Sequence, residues 1–269
     1  MTLNEAEKIL AEAGIEDARD EARLIFSSVG GEPAYKLLSP SFNSDSEAVR
    51  SAVLRRAERE PLAYILGEWD FYRESYFVTP DCLIPRSDTE LLVDFAVKNL
   101  PRGAKFIDLC TGSGCVAIST LKNTEDTTAT AIDISEGALS VAEKNAARCG
   151  VSSRLTLILE DALTYTPKER VFAVLSNPPY VADDCYPTLE AEIFHEPRAA
   201  FVGGADGGDF YRAITPIYRD IIDDEGFIAF EIGYDQGELL RKIAAEHSMS
   251  CEILKDLGGR ARVAVLRKA

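Results

Sequence analysis

Asp108-Leu109-Cys110-Thr111-Gly112-Ser113-Gly114 follows an apolar stretch of strand length, Phe106 to Leu109, and leads into a helical pattern. A glycine-rich turn between strand and helix is where doubly wound α/β folds bind the polar end of a nucleotide-like ligand, because the helix N-terminus offers unpaired N–H groups there. Gly112 and Gly114 permit close backbone approach, and Gly112 to Ala117 satisfies G-x-G-x-x-A. Further strand candidates lie at Ala129 to Ile134, Leu155 to Leu159, Phe172 to Ser176 and Phe227 to Ile232. Their alternation with helical patterns predicts a mostly parallel sheet covered on both faces, an α/β doubly wound Rossmann-like domain. Ser135-Glu136 starts a helix running to Cys149 and ended by Gly150, and another runs from Gly237 to about His247. Two closing strands, Cys251 to Leu254 and Arg262 to Arg267, flank Gly258-Gly259.

Three successive strand ends carry acids: Asp108, Asp133, and Asp161 beside Glu160. Each alone reads as a helix cap, but together they outline one crevice beyond the strand termini. Asp133 is placed to hold ribose hydroxyls, which leaves NAD open on the glycine loop alone. Asp108 tilts the reading toward S-adenosylmethionine, since a carboxylate at that strand end attracts a cationic amino group and repels a pyrophosphate. Glu160 and Asp161, with Ala162 next to them, are placed to accept from an adenine amino group. The expected cofactor set is Asp108, Cys110, Thr111, Gly112, Ser113, Gly114, Asp133, Glu160, Asp161, Ala162 and Asn177.

The fourth strand ends in Ser176-Asn177-Pro178-Pro179-Tyr180. Two prolines cannot continue a ladder, and Pro178 pushes Asn177 toward an extended conformation, so the turn is stiff. Stiffness leaves the Asn177 amide oxygen and the Pro178 carbonyl as two acceptors at fixed separation. Such a pair suits a planar NH2 group, whose delocalised lone pair makes it a poor nucleophile until it is held toward tetrahedral geometry. Tyr180 is placed to stack on the flat group. Alone, Asn-Pro-Pro is more often a rigid capped turn; its position beside the crevice favours a site.

The chain has 269 residues, 46% hydrophobic and 28% charged, enough for one large domain and a small one. A formal charge of −16 argues against a phosphate backbone as main partner and suits a basic one. The six cysteines form no C-x-x-C pair and do not join the two histidines at zinc spacing, so reduced structural thiols and no metal site are expected. The first residues lack a basic n-region and an apolar h-region, and no window approaches a membrane span, making the cytoplasm the default compartment. Residues 1–65 read as a small helical domain, with helices ended by Gly14, running from Ala18 to Ser28, and running from a cap at Ser44–Glu47 to Glu60 before Pro61. The stretch from Pro61 through Phe77 looks strand-rich, giving a hairpin linker over residues 66–84. Residues 85–269 form the α/β domain, opened by Ile84-Pro85-Arg86-Ser87-Asp88-Thr89-Glu90 as a turn feeding a helix.

Taken together these segments closely resemble the HemK family of protein-glutamine N5-methyltransferases acting on peptide chain release factors. The match spans nearly the whole chain: Ala13-Gly14-Ile15, Pro61 to Gly67, Ile84 to Glu90, Asp108 to Gly114, Asn177 to Tyr180, Glu196-Pro197, Gly203 to Gly207, Glu231-Ile232-Gly233 with Gln236, and Asp256-Leu257 with Gly259-Arg260. Asn-Pro-Pro-Tyr alone is shared with DNA and RNA amino-methyltransferases; the Ile-Pro-Arg-x-Asp-Thr-Glu segment joined to a helical N-domain is more specific. The resemblance implies an enzyme that transfers a methyl group from S-adenosylmethionine to the glutamine amide of a Gly-Gly-Gln motif. Asn177, Pro178 and Tyr180 would be catalytic, Pro179 and Arg86 would help bind substrate, residues 85–269 would be the methyltransferase domain, and residues 1–65 would contact the release factor. Three positions depart from the pattern: Cys110 takes the first glycine of the loop, Ser87 stands where proline is frequent, and Ala162 where a bulkier residue is common.

The rival activity is N6-adenine methylation of DNA or RNA, because adenine also offers a planar NH2. A nucleic-acid enzyme is expected to carry a basic stripe, which this composition lacks. A non-catalytic binding module would retain the cofactor loop, but the intact Asn177–Tyr180 turn argues for catalysis.

Overall fold

The computed structural model describes residues 1–269. Chain contacts divide it into two compact units, Met1–Trp69 with Glu190–His195, and Asp70–Leu189 with Glu196–Ala269.

The first unit is helical: α1 (Leu3–Glu12), α2 (Ala18–Ser28), α3 (Glu47–Ala57) and α4 (Leu62–Leu66). Thr2 accepts from the Glu5 N–H while the Glu5 side chain accepts from the Thr2 N–H, a reciprocal capping box. Leu3, Leu10, Ile25, Phe26, Val49 and Val53 recur at helical spacing and fill one core. Arg56 is buried there and pairs with Glu21 at 2.6 Å and Glu192 at 3.0 Å, while Arg59 reaches Glu192 at 2.7 Å. These two cations account for a segment distant in sequence, residues 190–195, joining this unit. The five residues after Pro61, expected to be extended, are instead helix α4. Pro61 fits the start, where no N–H is needed, and Gly67 at φ +77° ends it.

The boundary falls inside β1 (Glu68–Phe71), which turns into β2 (Glu74–Phe77) through Tyr72 and Arg73, both at positive φ. After α5 (Glu90–Asn99) come β3 (Lys105–Leu109), α6 (Cys115–Lys122), β4 (Thr128–Asp133), α7 (Glu136–Arg148), β5 (Leu155–Leu159) and β6 (Val171–Ser176). The chain closes with α8 (Asp209–Arg219), β7 (Ile222–Glu231), α9 (Gly237–Glu246), β8 (Met249–Lys255) and β9 (Ala261–Lys268). Helix α8 occupies a stretch to which the sequence reading assigns no element; Pro216 inside it obscures the helical pattern.

The seven strands run in the order β5-β4-β3-β6-β7-β9-β8. Pairs from β5 to β7 are parallel, and β9 runs antiparallel to both β7 and β8. The strands are buried on both faces: Phe106, Ala173, Leu175, Phe227 and Ala229 pack with α5 and α6, and Ile107, Val174, Ile228 and Phe230 with α8 and α9. This is the doubly wound α/β sheet that the alternation predicts. Strand order reverses beside β3, so the crevice falls between the ends of β3 and β6. The same period-two alternation sets Asn177 and Glu231 on the face of Leu175 and Ala229. No helix is long and apolar enough to cross a membrane.

Candidate active site

At the carboxyl ends of β3 to β6 lies a cavity of about 330 Å³, at the small end of ligand-sized sites. Cys110 and Gly112 contribute from the glycine loop, Asp133 and Ile134 from the end of β4, Asp161 and Ala162 from beyond β5, and Asn177 and Pro179 from beyond β6. Four strand ends separated widely in sequence thus meet around one space.

On the β4 side, the Gly112 N–H donates to Asp133 Oδ2 at 2.8 Å and the Ser135 N–H to Oδ1 at 2.9 Å. Burial nevertheless raises the Asp133 pKa, with these backbone donors opposing the rise. Gly112 has φ +55° with open space where a Cβ would stand, so its conformation is what demands glycine. Gly114, at φ +81°, is required twice over, because a Cβ there would sit 2.8 Å from Ile118 Cδ1 and 3.1 Å from Ala142 Cβ. Cys110 adopts φ +59° without that freedom.

Asp108 departs from expectation. It is buried behind the loop, where Oδ2 accepts from the Thr111 hydroxyl at 2.6 Å and the Ala117 N–H at 3.1 Å, and it does not line the cavity. Burial pushes its carboxyl up to about 7, against the pull of those two donors. It therefore pins the glycine loop to the start of α6 instead of facing a cationic amino group. Thr111, Ser113, Gly114 and Glu160 likewise stand outside the wall. What the wall does present is three carboxylates, Asp81, Asp133 and Asp161, with Ile134, Ala138, Ala162 and Leu163 as apolar surface. That set fits S-adenosylmethionine, a nucleoside with a cationic tail and no phosphate, and disfavours a pyrophosphate beside these acids.

On the β6 side, the Ser176 hydroxyl donates to the Leu109 carbonyl at 2.8 Å and ties the two strands together across the point of reversal. Asn177 lines the cavity, and its Nδ2 donates to Thr89 Oγ1 at 3.1 Å, which leaves the amide oxygen free for the cavity. Pro178 is buried and Pro179 reaches the wall. Tyr180 turns away, its phenol donating to Glu231 Oε1 at 3.1 Å, so it supports the turn from behind and offers no stacking face. Gln236 Nε2 donates to the Tyr180 carbonyl at 3.0 Å, and Tyr211 donates to Gln236 Oε1 at 3.1 Å. Two glycines let another backbone lie against the turn: a Cβ on Gly203 would stand 2.4 Å from the Pro179 carbonyl oxygen, and on Gly207 2.1 Å from that of Tyr180. Arg86 does not reach the cavity. It pairs with Glu196, whose Oε2 also accepts from the Ile84 N–H at 2.9 Å, and Pro197 then forms part of the wall.

Sequence reasoning missed Asp81, Cys82 and Leu83, which follow the hairpin, and Ala199, Ala200 and Val202 on the far wall. Apart from Asp81, these are small or apolar residues with no chemical signature of their own. It also gave no role to Thr89 and Glu231, although both fall within the stretches that carry the resemblance.

Residues 2–67 match the family model of the PrmC N-terminal domain, and residues 87–206 that of the methyltransferase small domain. The release factor glutamine methyltransferase of Geobacter sulfurreducens is 36% identical over 260 residues, covering 94% of this chain and 91% of that protein. The enzyme of the same name from Cereibacter sphaeroides is 38% identical over 264 residues, covering 96% and 94%. Among solved structures, a ribosomal protein methylase from Lactobacillus delbrueckii subsp. bulgaricus superposes with a TM-score of 0.52 at 20% identity over 71% of this chain and 84% of its own, a likeness of fold. With relatives matched end to end at this level, and with a cavity whose acids and amide sit at the strand ends, the chain belongs to the release factor glutamine methyltransferase family.

Proposed function

We propose that this site methylates the side-chain amide nitrogen, N5, of the glutamine in the Gly-Gly-Gln motif of peptide chain release factors, with S-adenosylmethionine as donor. The observation that carries the reading is the Asn177 amide, fixed by Thr89 so that its oxygen is left for the cavity.

When bound, S-adenosylmethionine supplies an electrophilic methyl group on a sulfonium centre. Asp133 and the Gly112 backbone would hold the ribose side, Asp161 the adenine amino group, and Ile134 with Ala162 the apolar ring. The Asn177 oxygen and the Pro178 carbonyl would accept the two hydrogens of the substrate carboxamide. Holding both N–H groups turns the nitrogen lone pair out of conjugation and toward attack. Carbon–nitrogen bond formation breaks the methyl–sulfur bond, and the nitrogen then releases one proton; no side chain is assigned as general base. Pro179 bounds the pocket in which the amide would lie, while Tyr180 and Arg86 act by holding the turn and the Glu196–Pro197 segment. The helical unit would grip the release factor, and the net charge of −16 suits a basic RNA-binding partner. The cytoplasm is the compartment that fits six free thiols and a translation substrate.

Labelled S-adenosylmethionine offered to the protein with purified release factor, duplex DNA and structured RNA in one mixture tests this. Label on the release factor alone supports the reading. Label on adenine would transfer the turn to nucleic-acid chemistry.

A further inference from the structure

Behind the turn stands a carboxyl that the methyl transfer itself does not use. Glu231 ends β7 with 2% of its surface exposed, one residue past the Phe230–Ser176 pairing that aligns β7 with β6. Its Oε1 accepts from Tyr180 at 3.1 Å. Its Oε2 is buried with no hydrogen-bond donor, a state that calls for a partner. Thr89, itself 1% exposed, holds the matching orphan: its Oγ1 accepts from Asn177, and its single proton has still to be placed. Burial pushes the Glu231 carboxyl up to about 7, and the Thr89 hydroxyl is the neighbour that most favours the charged form.

A Thr89 proton turned toward Glu231 makes Thr89 purely an acceptor, and only the NH2 half of Asn177 can then meet it. A Thr89 proton turned toward Asn177 permits the amide to rotate, setting NH2 against the substrate NH2, donor against donor. We propose that Glu231 is a positioning residue for the methyl transfer, fixing through Thr89 which half of the Asn177 amide faces the substrate. This rests on the reading of the site as a glutamine methyltransferase. The other groups facing the carboxyl are Asp88 ahead of α5, Tyr180 in the turn, Tyr211 on α8 and Arg262 on β9. Arg262 is already shared between Asp88 at 3.0 Å and Asp256 at 3.1 Å, and the one Tyr211 proton is shared between the Glu231 backbone carbonyl at 3.0 Å and Gln236 Oε1 at 3.1 Å. Thr89 and Tyr180 are thus the groups left to act on the carboxylate.

The test is steady-state methylation of intact release factor by wild type, Glu231→Gln, Thr89→Val and the double variant, with cofactor affinity by calorimetry. Each single change should lower kcat about 10- to 100-fold, as misplacement of an orienting group does, with cofactor affinity within about twofold. The double variant should be no worse than the poorer single one, because both changes cut the same chain. Wild-type kcat should fall as the carboxyl protonates at low pH, and Glu231→Gln should lose that limb. Losses that multiply, an unchanged kcat in either single variant, or a loss that appears equally in cofactor affinity would overturn the proposal. Wild type that leaves release factor unmethylated would overturn the function reading, and this proposal with it.

Discussion

The two halves of the cavity are built differently. On the β4 side the partners are nearer in sequence: Asp133 is fixed by Gly112, 21 residues before it, and by Ser135, two after it, and the glycine loop by Asp108 three and nine residues before its partners Thr111 and Ala117. On the β6 side Asn177 is oriented by Thr89, and the Tyr180 phenol and carbonyl by Glu231 and Gln236, at sequence separations of 88, 51 and 56 residues. A half built locally is written as a linear motif. A half built from distant partners shows only its tip, here Asn177 to Tyr180, and hides what gives the tip its direction.

The comparison predicts a separation of effects. Removing the acceptor amide with Asn177→Ala should cost kcat about 100- to 1000-fold, the range for deleting one preorganised polar group, while cofactor affinity stays near wild type. A variant that binds cofactor normally and methylates at the wild-type rate would break the assignment. On the other half, Asp133→Ala should weaken cofactor binding by about 1 to 3 kcal/mol, the range for losing hydrogen bonds to a charged group, with kcat recovering at saturating cofactor. Unchanged affinity in a titration would remove Asp133 from the site.

Smaller effects sharpen the contrast within the loop. Asp108 sits at about 7 in the fold against 3.8 for an unperturbed aspartate, so the folded protein retains a proton that the unfolded chain releases. Its stabilising contribution is complete below about pH 4, declines as pH rises and is gone above about pH 7. Asp108→Asn should flatten part of that decline, read from urea midpoints at about pH 5 and pH 8; an unaltered slope would mean that Asp108 is ionised in the fold. The smallest effect expected is from Cys110→Gly. Relief of left-handed strain, about 1 kcal/mol, is offset by a more flexible unfolded chain and a lost side chain, leaving the melting temperature within a few degrees.

How far the sequence could be read follows the same division. The βα alternation and the glycine loop gave the sheet, since buried parallel strands are continuous apolar runs and the helix entry needs Gly112 and Gly114. Helix α4 escaped because Pro61 reads as a break, though a proline at a helix start costs nothing, and helix α8 because Pro216 lies inside it and obscures the pattern. Asp108 was misread in role because a strand-end acid looks the same whether it faces a ligand or ties down a loop; only its burial separates the two. Arg86 was misread likewise, its partner Glu196 being 110 residues away. The small apolar wall residues Ala199, Ala200 and Val202 carry no sequence signal at all.

The central claim is that the amide nitrogen of a release-factor glutamine receives the methyl group. Fragmentation mass spectrometry of the Gly-Gly-Gln peptide, from release factor incubated with this protein and S-adenosylmethionine, tests it most directly. The account predicts one added methyl on the glutamine side chain, and none when that glutamine is replaced. A methyl on another residue of the peptide, or an unmodified peptide beside methylated adenine in a nucleic-acid control, would contradict it.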